Sequence, residues 1–275
     1  MSSFVFSNGA KIPSFGLGTW ELRDGTARAL VADALALGIR HFDTARLYEN
    51  ERDVGEALLK STVPREEIFV TTKIPPDMLK ADSVLACADA ALSELGIGYI
   101  DLLLIHWPNP EIPLKETLGA FAVLKRRGVI RHIGVSNFPA SLLEEAVAVS
   151  VEPIVNNQVE YHPYLQQNEV RESCARLGIS LTAYCPLAKG RIADDPTIGA
   201  IATAHGKTNA QITLRWLIQQ ESVIVIPRSS KPKRLKENFS IHDFSLSESE
   251  MRRIALLGQP NGRLVSPTGW APKWD

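Results

Sequence analysis

Asp43 and Tyr48 stand close together in HFDTARLYENE, where an apolar segment runs into a short polar stretch and then a helical pattern. Other apolar runs end in the same abrupt way. TTKIPP supplies Lys73, LLLIHWP supplies His106 and Trp107, and GVSNF supplies Ser136 and Asn137. NNQVEYHP supplies Gln158 and Glu160, AYCPL supplies Tyr184, and IPRSS supplies Arg228, Ser229 and Ser230. Singly, each has a structural explanation: a lysine at a strand end is usually solvated, and a tyrosine usually packs. Gathered on one rim, a phenol, an ammonium and an imidazole can move protons and hold charge beside a substrate. Asp43 and Glu160 would alternatively suit glycoside hydrolysis, which needs two carboxylates flanking the scissile bond. That chemistry leaves Lys73 and Tyr48 without a role. The three cysteines, Cys87, Cys174 and Cys185, lack metal-ligand spacing and read as free thiols; no metal is expected.

These residues need a frame that brings strand ends together. FVFSNGAKIPSF reads as a hairpin around Ser7-Asn8-Gly9, because Asn-Gly tolerates the positive φ of a tight turn. Strand-like and helix-like runs then alternate. The strand candidates are Phe15–Gly18, His41–Asp43, Ile68–Thr72, Ile100–Ile105, Val129–Val135, Ile154–Val159, Ile179–Ala183 and Val223–Ile226. They are short and mostly apolar, as parallel strands buried on both faces should be. Between them, Val84, Ala88, Leu92 and Leu95 recur at helical spacing before Gly96, and Leu142, Leu143, Ala146 and Val147 form a second stripe. Asn50 has the chemistry of an N-cap, with Asp53 three residues on. About eight βα units in this length predict a closed (β/α)8 TIM barrel carrying an N-terminal β-hairpin and extra C-terminal helices. An open doubly wound sheet would advertise a glycine-rich turn; GLGTWE has Glu21 where the third glycine belongs. No linker interrupts residues 1–275, so one domain is expected.

The 275 residues are 45% apolar and 22% charged, ordinary for a globular chain. Thirty basic residues nearly balance thirty-one acidic ones, so nothing marks a nucleic-acid or membrane partner. No apolar run approaches the roughly 20 residues of a membrane span. The start, MSSFVFSNGAK, lacks the regions of a signal peptide, and a cytoplasmic location is the default expectation.

Taken together and in order, DTARLYENE, TTKI, LIHWP, GVSNF, NQVEYHP, AYCPL and IPRSS…RLKEN resemble the signature set of the aldo-keto reductases, along essentially the whole chain. The resemblance implies NADPH-dependent reduction of carbonyl compounds by a tetrad of Asp43, Tyr48, Lys73 and His106. Tyr48 would donate the proton. A free phenol has a pKa of about 10, and the Lys73 ammonium is expected to lower it. Asp43 would hold Lys73, and His106 would orient the substrate oxygen. The resemblance further implies a cofactor extended across the barrel mouth. Ser136, Asn137 and Gln158 would bond its carboxamide and Tyr184 would stack on its nicotinamide. Thr19, Trp20, Asp43, Pro186, Leu187 and Ile226 would complete the contacts. Arg228, Ser229, Ser230 and Arg234 would take the 2′-phosphate at a helix start, and Glu237 and Asn238 the adenine.

Two positions depart from the family pattern. Arg228 stands where lysine is common, and Cys185 where serine is usual, which raises oxidative sensitivity beside the cofactor as one reading. Trp20, Tyr48, His106, Trp107 and Trp270 are expected to line the substrate pocket, whereas Trp216 in ITLRWLIQ reads as core. Short segments after His106 and Tyr184 predict an open site for small aldehydes, dicarbonyls, keto-acids and keto-esters. Arg46 is a cation near the rim that would favour acidic substrates. The ending RLVSPTGWAPKWD and the compact length resemble a bacterial branch of the family that reduces small ketones. A monomer with a small-molecule substrate is expected, the alternative implied by the resemblance being a nicotinamide-binding redox-sensing subunit without turnover.

Overall fold

The computed structural model describes residues 3–275. The Asn-Gly signal forms the predicted turn: Asn8 has φ 42° and Gly9 φ 89°, joining β1 (Phe4–Ser7) to β2 (Ala10–Pro13) in an antiparallel hairpin. A lone hairpin is marginal in water. Here Ile12 and Ala10 are buried among Phe69, Leu102, Leu104, Val155 and Ile224. Burying a side chain such as Ile12 contributes roughly 1.5–3 kcal/mol. Asn8 Nδ2 donates to Ile154 O, and Ser7 Oγ donates to Val155 O. The hairpin is thereby fixed to strand starts and plugs one end of the barrel, leaving the strand ends as the open mouth.

Eight parallel strands follow in sequence order: β3 (Gly16–Gly18), β4 (His41–Asp43), β5 (Phe69–Ile74), β6 (Ile100–Ile105), β7 (Ile130–Ser136), β8 (Ile154–Glu160), β9 (Ser180–Tyr184) and β10 (Val223–Val225). The seam between first and last strand closes through a Phe15–Val225 bridge, with Val225 N donating to Ser14 O at 2.9 Å. Gly18 lies on this seam, and a Cβ there would sit 2.7 Å from Ile226 O, so only glycine permits the approach. Side chains alternate as the pleat requires: Leu102 and Leu104 face the barrel interior, while Leu103 and Ile105 join the larger core beneath the helices.

The helices are α1 (Thr26–Ala36), α2 (Glu51–Leu59), α3 (Ala81–Leu95), α4 (Leu114–Arg126), α5 (Ala140–Val149), α6 (Asn168–Leu177), α7 (Pro196–His205), α8 (Asn209–Ile218), α9 (Pro232–Phe239) and α10 (Glu248–Ala255). In α3 the stripe Val84, Ala88 and Leu95 is buried, and Gly96 ends the helix at φ 66°. The additional helices do not all follow the barrel: α7 and α8 both stand between β9 and β10, and only α10 lies beyond α9. Trp216 is core, as its helical position predicts. Among the described residues no helix is long and apolar enough to cross a membrane.

Candidate active site

Strand register places the first pair. Asp43 pairs with Thr71, so Lys73 lies two residues farther along β5 on the same interior face. The ammonium finds three acceptors for its three protons: Asp43 Oδ1 at 2.6 Å, Thr44 O at 2.8 Å and Tyr48 Oη at 3.3 Å. Lys73 is fully buried and Asp43 nearly so, an arrangement tolerated only because the charges are paired and hydrogen-bonded. Gln158 Nε2 donates to the second Asp43 oxygen at 2.7 Å. Tyr48 ends a short 3₁₀ turn, Arg46–Tyr48. His106 follows β6 directly, and its ring meets the Tyr48 ring edge-to-face at 5.6 Å. Trp20 also packs edge-to-face on the Tyr48 ring, at 4.9 Å.

The proton affinities differ from the simple expectation for Tyr48. Burial pushes the phenol well above its usual range, and the Asp43 carboxylate adds to this. Lys73 does not reverse the shift because Asp43, at shorter range, already neutralises it. Burial draws Lys73 itself below its usual range, with Asp43 opposing. His106 is held far below its usual value by burial and then by Lys73, so it is neutral. Its Nδ1 is buried without a partner. A lone pair there is cheaper to leave unmet than an N–H, which assigns the proton to Nε2.

Asn50 is the residue whose role the sequence misassigned. It occupies the N-cap position of α2 but makes no side-chain cap. Instead its Nδ2 donates to Thr19 O and Leu22 O, and its Oδ1 accepts from Thr44 Oγ1. Asp53, the expected capping partner, accepts from Gly25 N. Asn50 thus ties the loop carrying Trp20 to the residue whose carbonyl takes Lys73. The signal for this was its position between Tyr48 and Glu51, which helix-cap chemistry explained too readily.

Ser136, Asn137, Gln158 and Tyr184 form one network. Ser136 Oγ donates to Gln158 O, Asn137 Nδ2 donates to His106 O, and Tyr184 Oη donates to Asn137 Oδ1 at 2.8 Å. Asn137 adopts φ 65° to do this. At the seam, Gly18 N donates to Pro227 O, and Arg228 Nε donates to Trp20 O while pairing with Glu21 at 3.5 Å. Thr19, Pro186, Ile226 and Ser229 are buried, Leu187 is half-buried, and Ser230 and Arg234 are exposed. Ser229 Oγ accepts from Lys231 N, and α9 starts with no side-chain cap. Glu237 accepts from Thr208 Oγ1, and Asn238 is buried.

Three expectations change at the rim. Arg46 is not a free cation: it pairs with buried Glu51 and with Glu94. Glu51 also accepts from Thr72 Oγ1, so this cluster braces the Tyr48 turn. Trp107 packs edge-to-face on Trp274 at 6.2 Å, and Trp270, expected in the pocket wall, is exposed. Glu160 is unavailable as a hydrolytic carboxylate, since its oxygens accept from Leu264 N at 2.7 Å and Val265 N at 2.9 Å, with His162 Nε2 beside them. That buried carboxylate anchors the chain's last segment over the mouth. Cys185 is half-buried and its thiol is pushed up to about 11, chiefly by burial, so the reactive thiolate is scarce.

Known proteins share this architecture. The model of the aldo/keto reductase family matches residues 14–258. Methylglyoxal reductase DkgB of Escherichia coli O157:H7 is 42% identical over 96% of this chain and 99% of its own. An aldo-keto reductase of Mycolicibacterium smegmatis is 45% identical over 96% of this chain and 95% of its own. A crystal structure assigned to a 2,5-diketo-D-gluconic acid reductase B superposes with TM-score 0.98 at 46% identity, covering 100% of this chain and 98% of that one. A Gox0644 mutant solved in complex with NADPH superposes with TM-score 0.90 at 37% identity, over 97% of both chains. With matches of this extent along the whole barrel, the chain belongs to the aldo/keto reductase family of oxidoreductases.

Proposed function

We propose that this chain reduces small aldehydes and ketones to alcohols with NADPH, taking the proton from Tyr48. The observation that carries this reading is the direction of the Lys73–Tyr48 hydrogen bond. An ammonium only donates, so the phenol oxygen accepts and its own proton is left for a substrate oxygen.

The chain has residues that suit the cofactor. Glycine at position 18 keeps the seam free of a side chain. The uncapped start of α9 leaves backbone N–H groups for a phosphate, with exposed Arg234 alongside and Arg228 at the rim. Tyr184, held by Asn137, offers a partly open ring for stacking. Bound NADPH would supply the hydride to the carbonyl carbon. Tyr48 then releases its proton to the oxygen as negative charge develops there, and the elevated proton affinity keeps the phenol protonated until that moment. His106 Nε2–H orients the same oxygen, and Lys73 steadies the phenolate left behind. The reading takes small dicarbonyls such as methylglyoxal, keto-acids and keto-esters as the substrates, with Trp20 packed on Tyr48 and Trp107 next to His106. The reading is of a cytoplasmic monomer of one barrel domain, in keeping with its free thiols.

Loss of absorbance at the reduced-nicotinamide band on adding methylglyoxal tests the activity. Tyr48→Phe should cut turnover by at least about 100-fold while NADPH still quenches tryptophan fluorescence. Undiminished turnover in that variant would overturn the proton-donor role.

A further inference from the structure

Two groups flank Tyr48, and neither is held firmly by its own surroundings. Lys73 reaches the phenol oxygen at 3.3 Å, the longest of the ammonium's hydrogen bonds. Trp20 packs on the phenol ring yet is 49% exposed. A half-exposed ring has little core around it, so the backbone that carries it must set its place. One buried side chain meets the supports of both groups. Asn50 Nδ2 donates to Thr19 O at 2.8 Å and to Leu22 O at 3.0 Å. These carbonyls stand at the two ends of the turn that carries Trp20, which Leu22 N closes on Thr19 O. Asn50 Oδ1 accepts from Thr44 Oγ1 at 2.7 Å, and the Thr44 carbonyl accepts from Lys73. Asn50 is itself on firm ground. The next residue, Glu51, accepts from Thr72 Oγ1, beside Lys73 on β5. An asparagine at a helix start ordinarily caps its own helix, but α2 goes uncapped and both amide protons are given to the Trp20 turn.

We propose that Asn50 is a positioning residue for the proton-donating step. Through Thr44 it aims the Lys73 ammonium at Tyr48 Oη, and through the 19–22 turn it holds Trp20 against the Tyr48 ring. The proposal rests on the reductase reading above and adds to it the residue that sets the geometry of the proton donor. Without the Thr44 tie the ammonium settles toward Asp43, its nearer partner, and supports the phenolate less in the transition state. Groups that bind cofactor and substrate are untouched, so the loss falls on kcat rather than KM.

The test measures NADPH oxidation with methylglyoxal, NADPH affinity from cofactor fluorescence, and the melting midpoint, with all rates taken well below that midpoint. Thr44→Val removes the hydroxyl with little change of volume. It should lower kcat about tenfold, as small misplacements of a catalytic group do, with KM and NADPH affinity little changed. Thr44→Ser keeps the hydroxyl and should restore most of the rate. Asn50→Ala should lower kcat further, because it also frees the Trp20 turn. Adding Thr44→Val to it should cost little more, since the two residues act through one hydrogen bond. Should Asn50→Ala fail to fold, the contrast between Thr44→Val and Thr44→Ser decides alone. Wild-type kcat in Thr44→Val, or a double variant whose loss is the product of the single losses, overturns the proposal and leaves the reductase reading intact. A wild type that reduces neither methylglyoxal nor simple aldehydes overturns both.

Discussion

Lys73 Nζ lies 2.6 Å from Asp43 Oδ1 but 3.3 Å from Tyr48 Oη, so the ammonium belongs first to the carboxylate and only second to the phenol. The site therefore holds a protonated tyrosine beside a neutralised ion pair. Proton release depends on charge appearing on the substrate.

The ion pair's structural and chemical roles are separable. Lys73→Met leaves Asp43 buried and unpaired, which should destabilise the fold by about 3–5 kcal/mol. Asp43→Asn with Lys73→Met should recover much of that stability, because no lone charge remains. Reductase activity should stay absent in both. Urea denaturation and NADPH oxidation on the same preparations check this; a double variant no more stable than Lys73→Met would contradict it.

His41 should make stability depend on pH. It is buried, hydrogen-bonding partners Thr71 Oγ1 and Pro13 O surround it, and burial lowers its pKa to about 4 from 6.5. As pH falls from 6.5 to about 4, the unfolded chain gains a proton that the folded chain refuses. Stability therefore drops across that window and is fully present above it, by about 3 kcal/mol in all. His41→Asn should flatten this part of the curve. Denaturation midpoints between pH 7 and 4 that run parallel for both proteins would refute the assignment.

Gly18→Ala should damage fold and mouth together. Its Cβ would press on Ile226 O at 2.7 Å, a backbone atom that cannot rotate away. Opening the β3–β10 seam should cost about 1–3 kcal/mol and raise the KM for NADPH. An unchanged melting temperature would show that the seam yields freely.

Arg228→Glu should weaken NADPH far more than NADH. Arg228 is held at the rim by Trp20 O, and reversal would set a carboxylate beside Glu21 where a 2′-phosphate is expected. Losing charge-assisted bonds and adding repulsion predicts at least a tenfold rise in the NADPH KM. Equal rises for both cofactors would remove Arg228 from phosphate recognition.

The barrel was legible because its signals are local. Asn8-Gly9 announced the hairpin, and apolar runs such as IDLLLI announced buried strands. Boundaries shifted by a residue or so, as at β7, which runs Ile130–Ser136. Of the additional helices, α10 lies beyond the barrel as expected, and one more stands between β9 and β10. Asp43, Tyr48, Lys73 and His106 were singled out together by the family resemblance of their motifs, and the structure brings these four side chains together.

Partnership was not legible. The sequence by itself determined which residue types stand at the strand ends and in what order, because alternation and turn chemistry are written within a few positions. Only the tertiary structure decided that Arg46 is neutralised by Glu51, that Asn50 braces the Trp20 loop, and that Glu160 holds the last segment. It also decided that burial raises the proton affinity of Tyr48 and that Trp274 meets Trp107. These outcomes depend on distance and burial between segments far apart in the chain, where an ångström or the loss of solvent changes which charge prevails.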